Sequence, residues 1–182
     1  KNILWYKVRY ETNDKYREWI RFIESKWFIV VWIVCDWRRW LLWWFWEIPT
    51  QLCTKHFHSM IVRYLTNKPK HEATQELKEI WMGIWNFREN TINMWLNSRF
   101  ERNKTRLGEK NSKGRNKHER AMKAYRSIRR NLAYCYMYER YNHIWIPKTN
   151  NSLESINSHL KTKSRIHRWL REDRKDKFIN YY

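Results

Sequence analysis

Apolar and polar positions alternate over ILWYKVRY (residues 3–10), the period of a strand. The next segment, DKYREWIRFIESK, repeats Tyr16, Ile20 and Ile23 at helical spacing, with Thr12 or Asn13 placed to cap it. FIVVWIVC (28–35) is a continuous apolar run of strand length, the pattern of a strand buried on both faces. Asp36 ends that run. RRWLLWWFW then has the length of a short helix, Pro49 stops it, and TQLC (50–53) suits another short strand. Strand, helix, strand, helix, strand is the grammar of an α/β layer.

The pattern changes after Cys53. From His56 to about Phe100 the apolar positions follow a helical period, broken at Pro69. Residues 103–117 are charged, hold Gly108 and Gly114, and are expected to form an exposed loop. A helix is predicted from Glu119 to Arg140, with Tyr125, Ile128, Leu132 and Tyr136 on one face. Pro147 breaks the chain again, and two short helices are expected near 152–164 and 171–180. The expected fold class is α/β: a partial sheet (1–55), a large all-helical insertion (56–146), and a return to the core with a basic helical tail (147–182). Because residue 1 is Lys and a strand follows at once, the chain is expected to be a piece of a longer one.

Charge sharpens this picture. Lys and Arg number 38 against 18 Asp and Glu, a net charge of +20. Residues 99–182 hold 23 of those cations and 8 of the acids. Such an imbalance repels itself unless a polyanion offsets it, and nucleic acid is the simplest partner. The tail HLKTKSRIHRWLREDRKDK interleaves cations with apolar residues, and Lys161, Lys163, Arg165 and Arg168 are the expected phosphate contacts. The bland alternative is a solvated charged helix paired through Glu172, Asp173 and Asp176.

Cys35, Cys53 and Cys135 are odd in number and scattered, which argues against a disulfide framework and for a reducing, cytoplasmic setting. No signal peptide is apparent. The window Trp27–Trp46 has membrane length, but Asp36, Arg38 and Arg39 at its centre make spanning costly. A basic, Trp-rich segment on a membrane surface stays open as a third reading.

Three places could carry chemistry. Asp36 stands at the carboxyl end of an expected buried strand, where ligands bind in open α/β sheets; it could equally cap the helix that follows. Glu154 lies just after a proline break near a helix start, with Asn150 and Asn151 beside it; ordinary acid–dipole complementarity explains it as well. Cys53-Thr-Lys-His56 has a metal-like spacing, and His58 adds a donor. A structural zinc site wants four ligands, however, and no second pair lies nearby, so a buried thiol and a hydrogen-bonded imidazole are expected there.

Two strings together resemble a known family. DWRRWLLWWFWEIPTQLCTKHFHSMIVRYLTNKPK is similar to the middle of bacterial insertion-sequence transposases of the Mutator-like group. Those carry Asp-Gly-x-x-Gly-Leu, Pro-x-Gln-x-Cys, Cys-x-x-His and Arg-Tyr-Leu-Thr. IPKTNNSLESINSHLKTKSRIHRWL resembles their later Ile-Pro-x-Thr-x-Asn-x-Leu-Glu run, with Leu-Lys-x-Lys and His-Arg-Gly-Leu after it. The resemblance implies a ribonuclease H-like fold and an Asp-Asp-Glu set of carboxylates holding two Mg2+ or Mn2+ ions for DNA cleavage and strand transfer. It maps Asp36 onto the second carboxylate and Glu154 onto the third. Cys53, His56 and Asn151 fall on motif positions. The first carboxylate would precede Ile3, so this stretch alone would be inactive. Transposon and target DNA, and further copies of the protein, are the implied partners. A catalytically dead nucleic-acid-binding remnant is the competing reading.

The chain departs from the family in its tryptophans. It has 14, against 3 glycines where an average chain of this length has roughly 13. Trp19, Trp27, Trp37, Trp40 and Trp169 stand where the family has glycine, whereas Trp5 and Trp95 match family tryptophans. UGA codons that specify glycine, written as tryptophan, would account for the replacements at once. Trp43, Trp44 and Trp46 crowd one short segment with bulk that no single face buries.

Overall fold

In the computed structural model, residues 10–36, 47–166, 171, 174 and 177 are described. The chain divides into two compact units, residues 1–148 and 149–182. The first is α/β but mostly helical. It runs α1 (Asn13–Glu24), β1 (Ile33–Cys35), β2 (Thr50–Leu52), α2 (Thr54–Leu65), α3 (Glu72–Met82), α4 (Glu89–Leu107), α5 (Glu119–Cys135) and α6 (Met137–Arg140). The second contains α7 (Asn151–Ile166).

α1 starts where the sequence placed it. Thr12 is the cap, and its hydroxyl accepts from the Lys15 N–H. Ile20 is the buried residue of its apolar stripe. β1 and β2 pair in parallel, with Ile33 opposite Thr50, Val34 opposite Gln51 and Cys35 opposite Leu52.

The expected eight-residue buried strand is a correction. Only residues 33–35 form strand, and Ile29 is 86% exposed. A strand buried on both faces needs neighbours on both edges and cover on both faces. Among the described residues β1 has one neighbour, itself three residues long. The strand expected at 3–10, the helix expected at 37–46 and most of that expected at 171–180 lie outside the described residues.

The core belongs to the helices and β2. Phe57, Ile61 and Leu65 recur every four residues along α2 and are fully buried. They meet Leu77, Ile80 and Trp81 of α3, with Phe57 edge-on to Trp81 at 5.0 Å between centroids. Ile92 and Leu96 of α4 and Ile128 and Leu132 of α5 close the cluster. Phe100 stacks on Tyr125 at 3.9 Å. Glu76 of α3 pairs with Arg99 and Arg102 of α4, and Arg140 of α6 with Glu89 of α4 at 2.7 Å. The expected loop from residue 103 begins later, because α4 continues to Leu107 and buries Asn103 and Leu107.

The helix expected through Arg140 breaks after Cys135 for an identifiable reason. Gln51 of β2 is fully buried, and its amide nitrogen donates to the Cys135 carbonyl at 2.8 Å. Its amide oxygen accepts from the Tyr138 N–H at 3.2 Å. One side chain thus serves both backbone groups at the break. The buried Tyr136 hydroxyl lies 2.9 Å from the carbonyl oxygens of both Ile84 and Phe87, which anchors the residue that leaves the helix.

Two tryptophans adopt backbone that favours glycine. Trp27 follows α1 with φ 65° and is 97% exposed; Trp145 follows a short 3₁₀ turn with φ 53° and is 90% exposed. The left-handed region costs an L-residue roughly 1–2 kcal/mol, and a solvated indole returns nothing. Trp27→Gly and Trp145→Gly should each stabilise the fold by about 0.5–1 kcal/mol, after glycine's greater unfolded-state freedom is offset. Urea midpoints of the two variants measure this. A lower midpoint would show that the indole makes a contact worth more than the strain.

Candidate functional site

The carboxyl end of the two-stranded sheet gathers the chemistry of the first unit. β1 delivers Asp36 one residue past its last paired position. β2 delivers Cys53 immediately before α2, and the Cys53 N–H donates to the Cys35 carbonyl at 2.8 Å, which extends the pairing by one bond. α2 then turns His56 back over its own start. The start is fastened by Thr54, whose N–H and hydroxyl both donate to the Lys148 carbonyl, at 3.1 and 3.0 Å.

His56 Nδ1 lies 3.0 Å from Asp36 Oδ1 and 3.4 Å from Cys53 Sγ. One donor atom from each of the three residues falls within 4.8 Å of the others. Cys53 is fully buried, whereas Asp36 is about half exposed, so the group has a dry side and a wet side. The structure thus joins residues that the sequence separates by up to twenty positions.

Cys35, the last residue of β1, is buried next to Asp36 in the chain. Burial first, then the charges of Asp36 and Cys53, pushes its thiol up to about 12. Tyr16 of α1 also faces this end: burial first, then Asp36 and Cys35, raises its phenol. Tyr16, Cys35 and Gln51 were missed as site residues. Tyr16 was visible as a member of an apolar helical stripe, and Gln51 as a polar residue inside a short strand, but neither pattern reveals what the side chain reaches.

His58 does not join the group. It is turned toward Trp81 and Trp85, with ring centroids 6.1 and 6.0 Å away, and burial lowers its pKa. Two residues beyond His56, a helix has turned about 200°, so Cys53 and His56 share a side that His58 cannot reach. Asp36 supplies the third donor instead. His71 meets His118 edge-on at 4.7 Å, and Cys135 is buried at the carboxyl end of α5.

In the second unit, Glu154 occupies the first turn of α7, and its N–H donates to the Asn150 carbonyl at 3.0 Å. Asn151 is exposed at the helix start. Lys161, Lys163 and Arg165 are exposed on α7, and Arg168 lies outside the described residues. Lys161 and Arg165 are one turn apart on one side. Lys163 is turned about 160° away from both, so the three do not share one face of the helix.

Burial of titratable groups sets an alkaline limit. Cys35 titrates at about 12 in the fold against an ordinary value of 9.0, and burial raises Cys135, Tyr136 and Tyr138 as well. Between pH 9 and 12 the unfolded thiol loses its proton while the folded one keeps it, so stability falls as pH rises. Each such group contributes up to about 1.4 kcal/mol per pH unit. The thermal midpoint should decline from pH 9 upward, and Cys35→Ala should shallow that decline. A flat profile between pH 8 and 11 would contradict this placement of the thiols.

Among the described residues, no helix is long and apolar enough to cross a membrane. No family model, curated protein or solved structure matches this chain.

Proposed function

We propose that this chain is a piece of a DNA transposase of the Mutator-like group, with a ribonuclease H-like catalytic core in its parent and a basic carboxyl-terminal part that holds DNA. The observation that carries the reading is the meeting of Asp36 with Cys53 and His56 at the carboxyl end of a parallel strand pair. Two motifs of the resemblance, seventeen residues apart, converge where open α/β sheets bind ligands.

Asp36 and Glu154 are the carboxylates assigned to catalysis, and Mg2+ or Mn2+ are the ions assigned to them in the parent. Magnesium takes oxygen ligands, so it fits the carboxylates and not the thiol or imidazole beside Asp36. Two such ions, if held by these carboxylates, would supply activation of the attacking water or hydroxyl and stabilisation of the leaving oxygen. The first carboxylate is assigned to chain upstream of Ile3. The charge of residues 99–182 supports DNA as the partner, held chiefly through phosphates. Assembly into a homo-oligomer and a cytoplasmic setting belong to the same reading.

Binding of duplex DNA should weaken steeply with salt. Replacing Lys161, Lys163, Arg165 and Arg168 with alanine should flatten the log–log slope by about 0.9 for each phosphate that is no longer neutralised. Lys161→Ala and Arg165→Ala should act together, and Lys163→Ala separately. In the full-length parent, Asp36→Asn and Glu154→Gln should each abolish strand cleavage while leaving DNA affinity within about twofold, since direct phosphate contacts dominate affinity. An unchanged salt slope in the quadruple variant would remove the tail from the interface. DNA binding with no cleavage by the intact parent would favour the inactive remnant.

A further inference from the structure

We infer that Asp36, Cys53 and His56 form a binding site for a thiophilic divalent ion, zinc being the ordinary candidate. The inference stands on the geometry of the first unit and does not rest on the transposase reading, with which it shares Asp36: a thiophilic ion seated here would take the carboxylate that reading gives to Mg2+.

The distances carry it. Zinc sits about 2.0–2.2 Å from nitrogen and oxygen ligands and about 2.3 Å from thiolate sulfur, so tetrahedral neighbours are spaced roughly 3.3–3.6 Å apart. Here the Nδ1–Oδ1 separation is 3.0 Å and the Nδ1–Sγ separation 3.4 Å. Shifts of a few tenths of an ångström would seat an ion. All three donor atoms already lie within 4.8 Å of one another.

Hydrogen bonding explains the arrangement less well. A ring nitrogen carries at most one proton, and Nδ1 faces both the carboxylate and the thiol. A nucleophile–histidine–carboxylate relay uses the two ring nitrogens for its two partners. Here both partners address the same nitrogen. Sulfur, nitrogen and oxygen donors gathered this closely are what a metal ion of mixed ligand preference requires.

The donor types select the ion. A thiolate and an imidazole favour zinc, cobalt or another borderline-soft cation over magnesium or calcium. The half-exposed Asp36 side gives the ion a path in, and the buried Cys53 side gives the bond a dry environment. The ion would tie the end of β1 to the first turn of α2.

Titration of the metal-free chain with Co2+ tests this, with Zn2+ as competitor and Mg2+ as control. One equivalent of Co2+ should produce a thiolate-to-cobalt charge-transfer band and the visible bands of tetrahedral cobalt. Zn2+ should erase both, and Mg2+ should not. Cys53→Ser should abolish the charge-transfer band. His56→Ala and Asp36→Asn should each weaken binding at least about tenfold. His58→Ala should bind as the parent does, and circular dichroism should report the same helix content for all variants. Absence of the thiolate band in the unmodified chain would overturn the inference, as would Zn2+ affinity unchanged by Cys53→Ser. Loss of DNA binding or cleavage with the cobalt spectrum intact would count against the proposed function and leave the metal site standing.

Discussion

The buried amide of Gln51 is the constraint on which the rest of the first unit depends. It is fully buried in β2, and it holds both backbone groups at the break between α5 and α6. An apolar residue there would leave a carbonyl without a partner in the interior, and each such group costs about 1–3 kcal/mol. The same strand pairs with β1 on one edge and hands the chain to α2 two residues later. Sheet, helical core and the Cys53–His56 turn are therefore set relative to one another through a single residue. Its neighbours add to this: Tyr136 anchors the far side of the break, and Thr54 fastens the start of α2.

This arrangement separates support from chemistry. The buried side of the sheet's carboxyl end is thiol-rich and dry, with Cys35 and Cys53 beneath the surface. The exposed side carries Asp36 and His56. A donor set with one ligand from each of a strand end, a loop and a helix has its geometry fixed by tertiary packing, not by local sequence. That is why removing core contacts far from Asp36 would blur the group even with every donor retained.

What was legible in the sequence follows from this division. Helices declared themselves through long runs at one period: α1, α2, α3 and the buried face of α5 all fall where Tyr16, Phe57, Leu77 and Ile128 recur. Asp36 and the Cys53–His56 pair were visible as residue types, and each was read alone. Their meeting was not visible, because it depends on a parallel pairing whose register no local pattern encodes. The run 28–35 misled for the opposite reason: it is apolar throughout, yet strand requires a partner, and only Ile33–Cys35 has one among the described residues. The break at Tyr136 was hidden because its cause, Gln51, lies 85 positions earlier. Trp27 and Trp145 were anomalous as composition, and backbone angles give two of the fourteen tryptophans a physical reading.

Phe28, Ile29 and Val31 are exposed and β-prone and lie two to five residues before β1. An exposed apolar segment next to a strand, unpaired among the described residues, is a template for another chain. Folding within one molecule is first order in protein, whereas edge pairing between molecules is second order. Dilution therefore favours the monomeric fold, and crowding favours assembly through this segment. The same short stretch of chain thus joins two physical roles: it leads into the strand that delivers Asp36, and it presents apolar surface whose burial would favour association as concentration rises.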